Sequence, residues 1–191
     1  MWTVKPMTFT LLFAAAHAAT ASDQRPASRA PAAETPAACG ESADYSRLDF
    51  WVGEWDVYSQ GRKVGTNRIS KVLSGCAVTE DWTDIDGGRG KSLFYFSPRE
   101  ATWKQVWITD RATRRGGTKE KTLTATLPGG ALRFEGELPL RSARVRDRTS
   151  LWPLENGHVR QLIEYSEDDG ASWQVSFDGL YVPRGTPPGD N

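Results

Sequence analysis

From Ser46 onward, apolar and polar positions alternate along the chain in short runs cut by turn residues. Residues 51–57, 64–73, 76–84, 91–97, 102–109, 122–127, 131–138, 144–152, 158–166 and 172–182 keep the period of about two that marks an extended strand. Between them stand Gln60-Gly61, Asp86-Gly87-Gly88, Arg115-Gly116-Gly117, Pro128-Gly129-Gly130, Asn156-Gly157 and Asp169-Gly170. Asn-Gly and Asp-Gly are strong hairpin turns, because both central positions take positive φ. No long stretch carries the period of about 3.6 of an amphipathic helix. The pattern predicts an all-β domain over 43–185, an antiparallel up-and-down barrel of about 8–10 strands, since closure removes the exposed edges of so long a meander.

In the first run, Trp51, Gly53, Trp55 and Val57 share one face, and Val52, Glu54, Asp56 and Tyr58 the other. Glycine at 53 lets the strand bend or lets another backbone approach, and the indoles fill the space beneath. Three further runs mix polar with apolar residues on a face expected to point inward. Glu80 shares its face with Cys76, Val78 and Trp82, and Gln105 lies between Trp103 and Trp107. In 158–166, Arg160, Leu162 and Glu164 lie on one face, and Val159, Gln161, Ile163 and Tyr165 on the other. A carboxylate or amide among tryptophans is costly to bury without a partner. These faces therefore predict either an internal hydrogen-bonded network in a solid core or a wet, ligand-sized cavity, with Arg148 and Arg160 as partners for Glu80 and Glu164.

The ends differ in composition. Residues 1–21 read as a secretory leader: Lys5 precedes the apolar run 9–16, and Ala16-His17-Ala18 and Ala19-Thr20-Ala21 are small-x-small cleavage sites. The run is shorter than the ~20 apolar residues of a membrane span, so no membrane insertion of the mature chain is expected and the location read from it is periplasmic or secreted. Residues 22–42, with Pro26, Pro31 and Pro36, read as a disordered linker, and 186–191 as a flexible tail. Cys39 and Cys76 are the two cysteines; in an exported chain the simplest reading is one disulfide, tying the end of the linker to the third strand.

Charge and chemistry narrow the function. Lys plus Arg and Asp plus Glu each number 24, and cleavage after Ala21 leaves 23 against 24. That balance argues against nucleic acid as a partner. Seven of the eight tryptophans lie beyond the leader, as core or as ligand contacts. The one histidine beyond the leader, His158, follows the Asn156-Gly157 turn and is expected to be an exposed strand end. No Gly-x-Ser-x-Gly elbow, zinc-ligand cluster, phosphate-binding glycine loop or dinucleotide fingerprint occurs, and no cofactor or metal is expected. Ser166-Glu167-Asp168-Asp169-Gly170-Ala171-Ser172-Trp173 matches the Asp-box, Ser-x-Asp-x-Gly-x-(Ser/Thr)-Trp, known from sialidases and other secreted β-proteins. A single copy is expected to staple a hairpin: Asp168 accepts backbone N–H groups, Gly170 takes positive φ and Trp173 packs under the loop.

Gly53-x-Trp55 resembles the opening strand of lipocalins and other calycin barrels. Together, the run 48–57, Asn67-Arg68-Ile69, the run 75–82, Gly90-Lys91-Ser92, the run 103–107 and the stretch from Val159-Arg160-Gln161 through Ser166 to Trp173 resemble a family of uncharacterised secreted bacterial proteins with a calycin-like barrel. Where that family's Trp-Val-Asp is expected, the chain has Trp107-Ile108-Thr109, with Asp110 one place later. The resemblance implies a barrel with an internal cavity and no established activity.

Two readings of the interior follow, and a third of the outside. In the first, an exported binding protein takes a small, largely apolar or amphipathic molecule. Trp82, Trp103 and Trp107 wall the ligand, and Glu80, Gln105, Arg148, Gln161 and Glu164 are the polar contacts. In the second, Glu80 and Glu164 form the acid/base pair of a hydrolase. Binding is favoured over catalysis, because carboxylates beside arginines more often form structural ion pairs. The third is a solid-cored barrel acting through its outer surface.

Overall fold

The computed structural model describes Cys39 and residues 42–111, 117–139 and 144–187. Residues 1–21, expected to be a leader, most of 22–42, expected to be a linker, and 188–191 of the expected tail lie outside the described residues.

Ten strands follow in chain order: β1 Gly53–Ser59, β2 Arg62–Val72, β3 Ala77–Asp84, β4 Arg89–Ser97, β5 Thr102–Thr109, β6 Thr118–Thr126, β7 Leu132–Pro139, β8 Arg144–Pro153, β9 Val159–Ser166 and β10 Gln174–Pro183. Each pairs antiparallel with its sequence neighbours, and β1 pairs with β10 through Trp55 opposite Pro183 and Tyr58 opposite Leu180. The sheet is thus a closed up-and-down barrel with no free edge. Register shifts at Val57/Tyr58, Leu123/Ala125 and Val175/Phe177 mark bulges, the device that lets a sheet curl tightly.

Up-and-down order puts the β1–β2, β3–β4, β5–β6, β7–β8 and β9–β10 connections at one end of the barrel. The other end is plugged by two short 3₁₀ turns, Ala43–Tyr45 and Asp49–Trp51. Trp51 belongs to the second turn and not to the first strand, which begins at Gly53. It is nonetheless fully buried, edge-on to Phe94 at 5.5 Å and to Tyr181 at 5.8 Å. What approaches Gly53 is a ring and not a backbone: a Cβ there would stand 3.3 Å from the Trp55 indole. That indole folds back so that Nε1 donates to the Trp51 carbonyl at 2.9 Å.

Leu48, Trp51, Trp55, Val57, Ile69, Val78, Phe94, Trp103 and Phe134 form the solid core beneath the plug. The Trp103 Nε1–H donates to the Asp44 carbonyl at 2.7 Å, fastening the first turn to the wall. Cys39 and Cys76 form the disulfide, with Cα atoms 4.8 Å apart, so the chain before the plug is joined to the residue before β3. His158 is buried at 8% exposure, where an exposed position was expected. Its backbone N–H donates to Asn156 Oδ1 and its ring meets Asn156 Nδ2, so the turn folds over the histidine.

Candidate functional site

Away from the plug the interior changes from apolar to polar. A cavity of about 320 Å³ is lined by Glu80, Trp82, Gln105, Trp107, Lys119, Lys121, Thr149, Gln161, Ile163, Tyr165, Ser176, Phe177 and Tyr181. It lies toward the end opposite the plug, and Trp82, Trp107, Ile163 and Phe177 on its walls are partly exposed.

Two glycines make this space by receiving the indoles. Trp82 lies over Gly65 of β2, where a Cβ would come within 2.5 Å of its Cη2, and Trp107 lies over Gly90 of β4, where a Cβ would come within 2.1 Å. Real Cβ atoms do not approach so closely, so a side chain at Gly90 would displace the Trp107 ring, and one at Gly65 would meet both the Trp82 ring and the Thr83 carbonyl, also at 2.5 Å. Each indole thus has its outer edge seated on a glycine of the neighbouring strand.

The deeper polar layer is one connected network. Glu80 Oε1 accepts from Asn67 Nδ2 at 2.7 Å, and Oε2 accepts from the Ser92 hydroxyl at 2.6 Å. Gln105 Nε2 donates to Ser92 at 3.1 Å. Asn67 Nδ2 also reaches the Tyr181 hydroxyl at 3.2 Å, which donates to Gln161 Oε1 at 2.9 Å. Register explains the meeting: Glu80 stands opposite Ile69 on β2 and Ser92 on β4. Burial pushes the Glu80 carboxyl above its ordinary value, against the lowering effect of Ser92, Asn67 and Lys121. The Gln105 side chain is 6% exposed, and its Oε1 has no partner among the described residues.

The layer nearer the far end is charged. Lys121 Nζ donates to Asp147 Oδ1 at 2.6 Å and to Thr149 Oγ1 at 2.5 Å. Lys119 Nζ donates to the Tyr165 hydroxyl at 2.5 Å and stands 3.2 Å from Asp147 Oδ2. Burial brings the Lys121 ammonium down to about 8 despite Asp147, and the second ammonium at Lys119 adds to that lowering. Burial pulls Lys119 the same way, but there Asp147 and Tyr165 prevail and its value is raised.

The eight residues expected to contact ligand divide. Glu80, Trp82, Gln105, Trp107 and Gln161 line the cavity together. Trp103 does not, because the Asp44 carbonyl holds its indole in the plugged half. Arg148 and Glu164 do not either. Alternation along β9 sends Gln161, Ile163 and Tyr165 to the lumen and Glu164 to the outside. There Arg148 clasps Glu164 with two hydrogen bonds, at 2.6 and 2.9 Å, and stacks on Trp173, its guanidinium carbon 3.8 Å from the ring centre. Arg160 pairs with Asp178 and not with Glu80. Glu80 and Glu164 therefore lie on opposite faces of the wall and form no acid/base pair.

The Asp-box closes the β9–β10 hairpin as a staple. Asp168 Oδ1 accepts the Ser172 N–H at 2.8 Å and the Ser166 hydroxyl at 2.7 Å, Oδ2 accepts the Ser172 hydroxyl at 2.5 Å, and Trp173 Nε1 donates to the Gly170 carbonyl at 3.1 Å. The Ser172 bonds and then the Ser166 hydroxyl hold the Asp168 carboxyl down at about 2. Gly170 takes φ +93°.

Sequence reasoning missed Lys119, Lys121, Asp147, Thr149 and Tyr181. Lys119 and Lys121 share the parity of Leu123 on β6, but 118–121 reads as a polar approach to a strand that was expected to begin only at 122. Asp147 and Thr149 share the parity of the buried Val145 and Leu151.

Fold and site together define the class: a closed ten-stranded antiparallel barrel, solid at one end and hollow and polar at the other. No protein-family model matches the chain, and no curated protein matches it.

Proposed function

We propose that this is an exported, calycin-like binding protein that takes one small amphipathic molecule in the cavity between Trp82, Trp107 and Phe177. The observation that carries the reading is the pair of indoles seated on Gly65 and Gly90, where no side chain would fit beside them, on the wall of a cavity of some 320 Å³. A solid-cored barrel has no use for that arrangement, because interiors pack to the density of organic crystals and voids cost stability. The size matches the lower end of small-molecule sites, and the mix of aromatic walls with a few fixed polar groups is their usual composition. The unpartnered Gln105 Oε1 supports it too, since a buried acceptor without a donor calls for a water or a ligand group. Export is supported by the leader-like 1–21 and by the Cys39–Cys76 disulfide, a bond that persists in oxidising compartments.

Native mass spectrometry of the protein purified from its own source tests the reading. A single small molecule retained at one per chain and lost on unfolding is the expected result. An empty chain whose tryptophan fluorescence is also unmoved by decanol and decanoate would overturn it.

A further inference from the structure

We propose that the preferred ligand is an amphiphile ending in a single carboxylate, which bridges the ammonium groups of Lys119 and Lys121 while its apolar body lies between Trp82, Trp107, Ile163 and Phe177. The inference rests on the cavity being the ligand site and adds the chemistry of the ligand's head.

Charge count comes first. Among the described residues, the two cavity lysines share one carboxylate, Asp147, at 2.6 Å from Lys121 and 3.2 Å from Lys119. The other cavity carboxyl, Glu80, is held toward its neutral form by burial. Outside the deeper Glu80 network, the described groups around the far half of the lumen thus set two ammoniums against one carboxylate, one positive charge in excess in a mostly desolvated place. A monoanion cancels it, whereas a dianion overshoots and a cation adds to it.

Donor count comes second. An ammonium has three N–H groups and accepts nothing. Lys121 gives two, to Asp147 and Thr149. Lys119 gives one to Tyr165 and directs another toward Asp147. Lys121 thus keeps one donor with no hydrogen-bond partner among the described residues, and Lys119 makes a single hydrogen bond, to Tyr165, over whose ring it also stands. Both lysines project from the same face of β6, two residues apart, and both line the cavity. Two donors from neighbouring ammoniums suit the two oxygens of one carboxylate, and charge-assisted bonds of this kind are about twice as strong as neutral ones.

The position fits an amphiphile. Trp107 stands opposite Lys119 in the β5–β6 register, and Gln105 opposite Lys121. A head group at the lysines thus has an indole at its side, while the Gln105 Oε1 acceptor in the same cavity, which a carboxylate cannot satisfy, is left to a water. The groups that face Lys121 are Lys119 on its own strand, Asp147 on β8, Glu80 on β3, Tyr165 on β9 and Tyr181 on β10. Of these groups, Lys121 has its ammonium brought down to about 8 by burial.

Calorimetric titration of the oxidised protein with decanoate, decanol and decylammonium, which share one chain length, tests the proposal. Near neutral pH decanoate is expected to bind about tenfold or more tightly than decanol, with decylammonium the weakest. Lys119→Met leaves Asp147 paired with Lys121, so the fold is kept, and it should bring the decanoate-to-decanol ratio toward one. In the unsubstituted protein the same ratio should shrink as pH passes upward through about 8 and Lys121 loses its charge, a response that a Lys121 serving only to hold Asp147 and Thr149 would not produce. Equal binding of decanoate and decanol, or a ratio indifferent to both Lys119→Met and pH, overturns the carboxylate proposal and leaves the cavity reading standing. Failure of all three probes to bind overturns the two together.

Discussion

Glu80 and Lys121 sit within one lumen, and burial drives each toward its uncharged form. For Glu80 the folded value is raised. Its contribution to stability is therefore complete below the unfolded value of about 4.5 and is lost as pH rises through the folded value. For Lys121 the folded value is lowered to about 8, so between about 8 and 10.5 the unfolded chain binds more protons and stability from this group rises with pH. Glu80→Gln isolates the first effect. The amide accepts from Asn67 and donates to Ser92, so the network survives, and the cost at about pH 5 should stay within about 1 kcal/mol. At about pH 8 the variant should be at least as stable as the parent, because no buried carboxylate has to ionise. Urea melts at the two pH values check this, and a loss above about 3 kcal/mol at both would mean that the carboxylate itself holds the network.

At the scale of strands, alternation made most of the fold legible and also set its limits. The ten runs read from period-two patterning lie where the ten strands are, because one wall face is buried along nearly the whole meander. Glu80, Gln105 and Gln161 were readable as inward because unmistakable core residues (Val78, Trp103, Val159) share their parity. Lys119 and Lys121 were not, because two lysines flanking Glu120 look like a solvated edge and only the bulge-bearing, weakly apolar β6 continues from them. Depth along a strand was invisible too. Trp103 and Trp107 share a face, yet one lies under the plug and the other on the cavity wall. Arg148 and Glu164 were readable as a pair but not as an outer-wall clasp, which needs the position of Trp173 from the next hairpin. Their side chains are 17% and 10% exposed, between a surface pair worth about 0–1 kcal/mol and a buried one whose breaking costs about 3–5. Arg148→Ala should cost about 2 kcal/mol in denaturant melts, and Arg148→Lys should recover only part of it, since lysine neither forks onto the carboxylate nor stacks as flatly on Trp173. Full recovery by lysine would reduce the clasp to simple charge.

Over the whole molecule, closure and plugging divide the labour. The hydrogen-bonded ring leaves no edge to protect, and the 3₁₀ plug seals one end with Leu48 and Trp51. The disulfide spans 37 residues of chain, a loop for which chain entropy alone gives roughly 4 kcal/mol. Cys76→Ser should therefore lower the unfolding free energy by up to about that amount. The loss should concentrate in the plug, read as faster amide exchange at Leu48 and Trp51 than at β8. Uniform loss across the barrel would mean that the plug does not open separately.

The most direct measurement is the binding of a small fluorescent apolar probe to Gly90→Ala beside the parent. The new methyl at 90 cannot coexist with the Trp107 ring as placed, so the indole swings into the lumen and takes the ligand's space. The account predicts a fall in probe affinity of about tenfold or more, with a stability cost of about 1–3 kcal/mol and an altered near-ultraviolet dichroism from the moved tryptophan. Unchanged affinity in a folded Gly90→Ala protein with a displaced Trp107 would place the probe elsewhere and contradict the claim that the lumen is where this barrel binds.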